Sequence, residues 1–346
     1  MNPLTSLYRI ATATRNNLYD RGILKSHKLS RPVISVGNIS VGGSGKTPFV
    51  IMLGELLKQH RVPFDVLSRG YGRKTCGNMR VDPNGTSRDF GDEPLLIARR
   101  LACPVIVGKS RYSAGKLAEN DQTITVAVGS TTPTNVGTAA QARPERSRRG
   151  CPPGSRPDPL HILDDGFQHR SLARAFDIVL VTAQDFHDQL LPAGRLREPL
   201  SSLLRADAIV LTEEIDSARL PTSRNIWHVR RSLAVPNTPK NPIVFCGIAR
   251  PGKFIDQLRA INIQPIAQKF YRDHHQYTSF DIRDLLRLKK GNQADAFITT
   301  EKDAINLGEH FPEISPVIAR VEMELFDPAG VVDTILRVIT ERGAKA

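Results

Sequence analysis

The residues with the clearest chemical meaning are Gly42-Gly43-Ser44-Gly45-Lys46-Thr47. Closely spaced glycines let a backbone turn several N–H groups toward phosphate oxygens; a lysine at this spacing reaches the β- and γ-oxygens, and the adjoining hydroxyl binds magnesium. Ser40, Val41, Gly42, Gly43, Ser44, Gly45, Lys46 and Thr47 therefore read as a cradle for the phosphates of ATP with Mg2+. The usual G-x-x-x-x-G-K-[ST] pattern starts with glycine, and here that position is Ser40, which can also make the entry turn.

A phosphate loop of this kind needs an acidic partner for the metal at the end of a nearby strand. Leu160-His161-Ile162-Leu163-Asp164-Asp165-Gly166 supplies one, an apolar run ending in two carboxylates, and hard oxygen ligands suit magnesium. His169 follows three residues later and could touch phosphate or substrate, with a structural role equally open. Ser68-Arg69-Gly70-Tyr71-Gly72-Arg73 and Gly91-Asp92-Glu93-Pro94 occupy the positions where a parallel sheet places its ligand loops. Asp92 could accept a proton from an attacking hydroxyl, or cap a helix with Pro94 in its first turn; on its own the segment favours the cap. In Leu191–Pro199, Arg195 or Arg197 could neutralise developing phosphate charge and Glu198 could assist the metal. Asp273-His274-His275 puts two imidazoles beside a carboxylate; neighbours on one strand point opposite ways, so they do not share a metal.

Holding these groups in register requires alternating strands and helices. Val33 to Val36, Phe64 to Leu67, Val105 to Val107, Ile178 to Val181 and Ala208 to Leu211 are short β-branched runs, and Thr47 to His60 carries Phe49, Val50, Leu53, Leu56 and Leu57 at helical spacing. That alternation predicts an α/β fold, a mostly parallel sheet with helices on both faces. Near Val235 the texture changes, as Pro236, Pro239 and Pro242 lead into a new strand, Ile243 to Cys246. The expected organisation is a basic amphipathic segment over 1–30 in one or two short helices, a phosphate-loop domain over 31–235, and a smaller α/β domain over 236–346. The stretch 130–159, rich in Thr, Pro, Gly and Arg, reads as a solvated disordered insertion.

The 346 residues carry a formal charge of +13, with 40% hydrophobic and 24% charged residues. The charge attracts polyanions, either nucleic acid, anionic headgroups or a phosphorylated substrate. Much of the excess sits in the insertion, and no RNP, zinc or helix-turn-helix signature accompanies it, so nucleic acid is not expected as a partner. The four cysteines lie far apart, without zinc spacing or disulfide density. No window is long and apolar enough to span a bilayer, and the start lacks the apolar core of a signal peptide, which predicts a protein of the cytoplasm or of a membrane surface.

Taken in order, the blocks Val36 to Pro48, Leu67 to Arg73, Gly91 to Pro94, Leu163 to His169, Leu191 to Pro199, Asp273 to His275 and Thr300 to Asp303 resemble the tetraacyldisaccharide 4'-kinase family, the lipid A 4'-kinases of Gram-negative bacteria. The resemblance implies a phosphate-loop kinase with a smaller C-terminal domain, peripheral at the cytoplasmic face of the inner membrane, favoured as a monomer. Its reaction would move the γ-phosphate of ATP to the 4'-hydroxyl of a tetraacyldisaccharide 1-phosphate. It implies Lys46 and Thr47 at phosphate and magnesium, Asp164, Asp165 and Glu198 around the metal, and Asp92 as base assisted by His274 of the second domain, the choice between His274 and His275 staying open. Glu93, Tyr71 and Arg197 would lie close by, with His169 on the substrate side. Thr12, Thr14, Arg15, Asn16 and Asn17 interrupt the apolar face of the first segment, which implies weaker membrane attachment. The competing reading is a switch ATPase of the partitioning or metal-insertion type; those proteins often carry a second lysine where this chain has Val41.

Overall fold

The computed structural model describes residues 3–121, 158–212, 220 and 225–344. Of the insertion read at 130–159, only 158 and 159 fall among them. In chain order the elements are α1 (Pro3–Asp20), β1 (Val33–Asn38), α2 (Lys46–Gln59), β2 (Phe64–Ser68), β3 (Met79–Arg80), α3 (Ser87–Phe90), α4 (Asp92–Leu101), β4 (Val105–Val107), α5 (Arg111–Asn120), β5 (Leu160–Asp164), β6 (Phe176–Val181), β7 (Ala208–Leu211) and β8 (Ile226–Ala234). There follow β9 (Pro242–Cys246), α6 (Pro251–Ala260), β10 (Ala267–Phe270), α7 (Ser279–Gly291), β11 (Ala296–Thr300), α8 (Glu301–Leu307), α9 (Phe311–Ile314), β12 (Val317–Leu325) and α10 (Ala329–Gly343).

All twelve strands join one sheet, in the order β10-β9-β11-β12-β8-β7-β6-β1-β5-β2-β4-β3. Strands β1, β2, β4, β5, β6, β7 and β9 are buried along their whole length, as expected of parallel strands covered on both faces. Central strand β1 runs parallel to β5 on one side and β6 on the other. Among the described pairings two are antiparallel: the short β3 against β4, and β8 against β12. The second of these matters for the whole molecule. The first part of β8 continues the sheet parallel to β7, and its remainder turns to pair with β12 from Val229–Leu325 to Ala234–Arg320. Strand β12 in turn pairs parallel with β11, so β8 and β12 splice the two halves of the sheet. The change of texture read at Val235 lies in the connection from β8 to β9.

The first segment forms a single helix of 18 residues, one of the two forms expected, with exposed apolar side chains in its first half. Leu4, Leu7 and Ile10 are exposed, whereas polar residues face the protein: Arg15 donates to the Gln168 carbonyl at 2.6 Å, Asn16 to Glu198 at 2.8 Å, and the Tyr8 hydroxyl to the Arg197 carbonyl at 3.0 Å. Two of the polar residues that interrupt the apolar stripe, Arg15 and Asn16, thus help to dock the helix.

Candidate active site

The phosphate loop leaves the carboxyl end of β1 and enters α2 at Lys46. Gly45 caps that helix at φ 85°, a left-handed backbone that glycine adopts without strain. A Cβ there would also run into the methyl of Met323. Asn38, the last residue of β1, ties the loop together from inside. Its amide donates to the Ser40 carbonyl at 2.7 Å and to the Ser44 hydroxyl at 2.9 Å, while its Oδ1 accepts from Lys46 Nζ at 3.1 Å. One buried carboxamide therefore sets both the curvature of the loop and the reach of the lysine. Motif spacing gives no sign of this role, since Asn38 lies just before the recognised pattern.

The paired carboxylates at the end of β5 divide their work. Asp164 is buried and accepts from the Ser68 hydroxyl at 3.1 Å. Burial, with the neighbouring charges of Glu93 and Asp165, pushes its carboxyl up to about 7. Such a group gains by meeting a cation, and Asp164 and the buried Thr47 could supply the hard oxygens that magnesium prefers. Asp165 turns the other way, at φ 51°. It faces Lys46 at 3.4 Å and Arg197 at 3.0 Å; burial opposes its charge, but those two cations outweigh burial and hold its carboxyl below the usual range. Among the described residues no group of three or more His, Cys, Asp or Glu side chains is arranged as a metal cage, so phosphate oxygens and water would complete the shell, as is usual for magnesium.

The Leu191–Pro199 loop is stitched onto the phosphate loop. Val41 N–H donates to the Arg195 carbonyl at 2.8 Å, Arg197 N–H to the Ile39 carbonyl at 2.6 Å, and Ser40 pairs with Leu196 as an isolated bridge. Of the two candidate arginines, Arg197 reaches Asp165 while Arg195 is bound to Asp188 at 2.6 Å. Glu198 is buried, and its Oε2 accepts from Asn16 of α1 and from Arg205 at 2.9 Å, leaving Oε1 without a hydrogen-bond partner. Helix α1 thereby touches both the arginine and the glutamate of this loop.

Across the sheet edge, Gly91 at φ 88° caps α4, and a Cβ on it would meet the Tyr71 carbonyl at 2.9 Å. Asp92 is therefore not the cap that local sequence favours; it is the first residue of the helix, and its side chain is aimed elsewhere. His274 Nδ1 lies 2.7 Å from Asp92 Oδ2, and the Glu93 N–H donates to Oδ1 at 2.9 Å. His275 instead bonds Asp281 at 3.2 Å and stacks on Tyr271. Burial works against the charge of Asp92, yet the His274 bond and the nearby Lys302 hold its carboxyl low. The same bond raises His274. Because an ionised carboxylate can only accept, Nδ1 carries the proton and Nε2 is the atom that titrates. His274 sits at φ 57°, a second site residue in the left-handed region, where strain of this kind is typical of functional positions. Tyr71, exposed, tilts over the His274 ring at 5.5 Å, and Glu93 forms an ion pair with Lys302. Lys302 belongs to the Thr300–Asp303 block, whose Glu301 also reaches Arg100 at 2.6 Å; this block docks α8 on α4. Its pairing with Glu93 links residues 209 apart in sequence and could not be read from motif spacing.

His169 is half-buried and accepts or donates at 3.2 Å to the Ser171 hydroxyl. Burial, then the charges of Arg111, Arg174, Arg69 and Arg15, bring it down to about 4, so it is neutral at physiological pH.

With this geometry in place, the comparisons with known proteins are consistent with one another. The sequence model described as tetraacyldisaccharide-1-P 4'-kinase matches residues 1–340. The tetraacyldisaccharide 4'-kinase of Koribacter versatilis is 41% identical, over 99% of each chain, and that of Aquifex aeolicus 36% identical, over 88% of each. A crystal structure of LpxK from Aquifex aeolicus in complex with ATP superposes with a TM-score of 0.75 at 32% identity, covering 97% of this chain and 98% of that one.

Proposed function

The chain belongs to the tetraacyldisaccharide-1-P 4'-kinase family, and we propose that Asp92, oriented by His274, is the base of its reaction. That reaction is transfer of the γ-phosphate of ATP to the 4'-hydroxyl of a tetraacyldisaccharide 1-phosphate in lipid A biosynthesis. The observation that carries the assignment of the base is the 2.7 Å contact between Asp92 and His274, residues from opposite halves of the chain.

The acceptor O–H bond breaks toward Asp92, the oxygen attacks the γ-phosphorus, and the bond from that phosphorus to the bridging oxygen of ADP breaks behind it. Nδ1–H of His274 holds the carboxylate in place, and Tyr71 and Glu93 flank the entry of the acceptor. Lys46 and Arg197, both now on Asp165, supply positive charge to the phosphate chain; the loop N–H groups from Gly42 to Thr47 hold it in line. Thr47 and Asp164 would hold magnesium, with Asp165 and Glu198 assisting, and the bound ion would supply neutralisation of phosphate charge. His169, neutral, offers a hydrogen bond on the substrate side. In this reading 31–235 binds nucleotide and 236–346 brings His274, so the acid–base pair is complete only with both halves together.

The exposed Leu4, Leu7, Ile10, Ile23 and Leu24, with Arg9, Arg21 and Lys25 among them, suit an anionic membrane surface. Among the described residues no helix is long and apolar enough to cross a membrane, which fits peripheral attachment at the cytoplasmic face of the inner membrane. A monomer suffices, as every site residue comes from one chain. The switch-ATPase reading has no use for a buried Asp–His pair facing an acceptor.

The direct test supplies Mg-ATP and tetraacyldisaccharide 1-phosphate in detergent and looks for the bisphosphorylated product. Its absence with folded wild-type protein would overturn the assignment.

A further inference from the structure

One cation at the phosphate loop comes from outside the motifs. Arg250 lies in the turn from β9 into α6, far from the loop in sequence and in the half of the chain that carries His274. The Cβ that an alanine would place at Gly42 lies 3.5 Å from Arg250 Nη2 and 3.9 Å from Nε. The guanidinium therefore rests over the loop residue four positions before Lys46. Among the described residues its one hydrogen bond runs from Nη1 to Gln184 Oε1 at 3.1 Å, and Gln184 is an exposed, neutral residue. Among the described residues no carboxylate within ion-pair distance neutralises it, in contrast to Lys46 and Arg197, which share Asp165.

From this geometry we infer that Arg250 contacts the γ-phosphate of bound ATP. The inference rests on the kinase reading above. A half-buried guanidinium held only by a neutral amide keeps its full charge and its planar donor fork available, and phosphate is the ligand that fork matches best. The transferred phosphoryl is the part of the nucleotide that must lie between the loop and the Asp92–His274 pair. A cation that arrives from the His274 side and stops above Gly42 meets that group first. Arginines supplied across a cleft in this way stabilise the charge of phosphoryl transfer in other phosphate-loop enzymes. The contact would also let the γ-phosphate draw the two halves together, since loop and arginine belong to different halves.

The test compares wild type with Arg250→Ala and Arg250→Lys, measuring displacement of a fluorescent ATP analogue by ATP and by ADP, together with steady-state transfer. The expected result for Arg250→Ala is ATP affinity about 10-fold weaker with ADP affinity unchanged, kcat down on the order of 10²-fold, and KM for the lipid acceptor within about threefold of wild type. Arg250→Lys recovers part of the ATP affinity, because the charge remains while the fork is lost. The inference is overturned if ATP and ADP weaken equally, if neither weakens, or if the loss of transfer follows a fall in thermal stability. Arg250→Gln, which keeps part of the aliphatic stem and an N–H donor but removes the charge, serves if the alanine variant does not fold. Wild type without transfer would sink the kinase reading itself; wild type with transfer, and a variant with unchanged ATP affinity, would sink only the role of Arg250.

Discussion

Replacing Asp92 with asparagine separates chemistry from architecture at this site. The side chain is 4% exposed and holds two contacts, His274 at 2.7 Å and the Glu93 N–H at 2.9 Å. Asparagine has the same shape: its Oδ1 can accept from the Glu93 N–H while its amide N–H donates to Nδ1 of the other neutral tautomer of His274; what it lacks is the charge and the ability to take a proton. A hydrogen bond to a charged group contributes about 1.5–3 kcal/mol and a neutral one about 0.5–1.5, so the substitution should cost about 1–2 kcal/mol of stability. Against that, a neutral amide is cheaper to bury than a carboxylate, which brings the net below about 2 kcal/mol and the melting shift to about 2–4 °C. Loss of a general base removes about 10²- to 10⁴-fold in rate, equivalent to about 3–5 kcal/mol of barrier. The expected outcome is a protein that melts within a few degrees of wild type, binds the fluorescent ATP analogue normally, and has kcat reduced at least 100-fold at saturating acceptor. Retention of more than about a tenth of kcat would refute Asp92 as the base. ATP affinity falling in step with kcat would show instead that Asp92 supports the fold of the nucleotide site.

Three further outcomes follow from the same geometry. His274 is raised above its ordinary 6.5 by the Asp92 hydrogen bond, so the dyad holds its second proton to higher pH than a free imidazole would, and kcat/KM should climb as pH rises through that raised value; the limb should vanish from the same window in His274→Ala. The sign for stability is opposite: the His274 contact strengthens the fold below its unfolded pKa and that contribution is lost as pH rises through the folded one, so thermal stability should fall over the window in which activity rises. Asp164, pushed up to about 7, must lose its proton to bind a cation, so calorimetry of Mg-ATP binding at pH 6 in buffers of different ionisation enthalpy should show proton release that Asp164→Asn abolishes. Leu7→Glu with Ile10→Glu, both exposed positions on α1, should remove binding to vesicles of anionic lipid while leaving transfer to detergent-dispersed acceptor within about twofold; unchanged vesicle binding would rule out this face of the helix as the membrane contact.

The parts of the fold legible in sequence were those built from contiguous signals. Strands β1, β2, β4, β6, β7 and β9 are uniformly buried β-branched runs, and their bounds fall within two residues of the reading. Strands β8 and β12 escaped it because each is half exposed and carries charges such as Arg230, Arg231, Glu322 and Glu324; only their pairing with each other makes them strands. In the site, spacing within two separate motifs picked out Lys46 with Thr47 and Asp164 with Asp165, since each pair is adjacent in sequence and lies at or beyond the end of one buried strand. Local reasoning ranked Asp92 as a cap because its working partner, His274, is 182 residues away, and nothing nearby marks the distance being closed. The choice between His274 and His275 had the same origin: adjacent imidazoles differ only in what the fold brings to each. Asn38 and Lys302 were missed for a related reason, as their roles are to position other side chains and carry no spacing rule.

The last helix described, α10, has a consequence for how the protein comes into being on the ribosome. Val331, Val332 and Ile335 are 2%, 0% and 0% exposed and share one hydrophobic cluster with Ile34, Val36 and Phe49 of the phosphate-binding half. Arg342 closes the arrangement by donating to the Ala175 carbonyl and pairing with Asp207. The nucleotide-binding core thus contains side chains synthesised some 300 residues after its first strand. Until that helix emerges, the chain lacks the side chains that cover this part of β6, so the core of this half closes only after the C-terminal residues have been made.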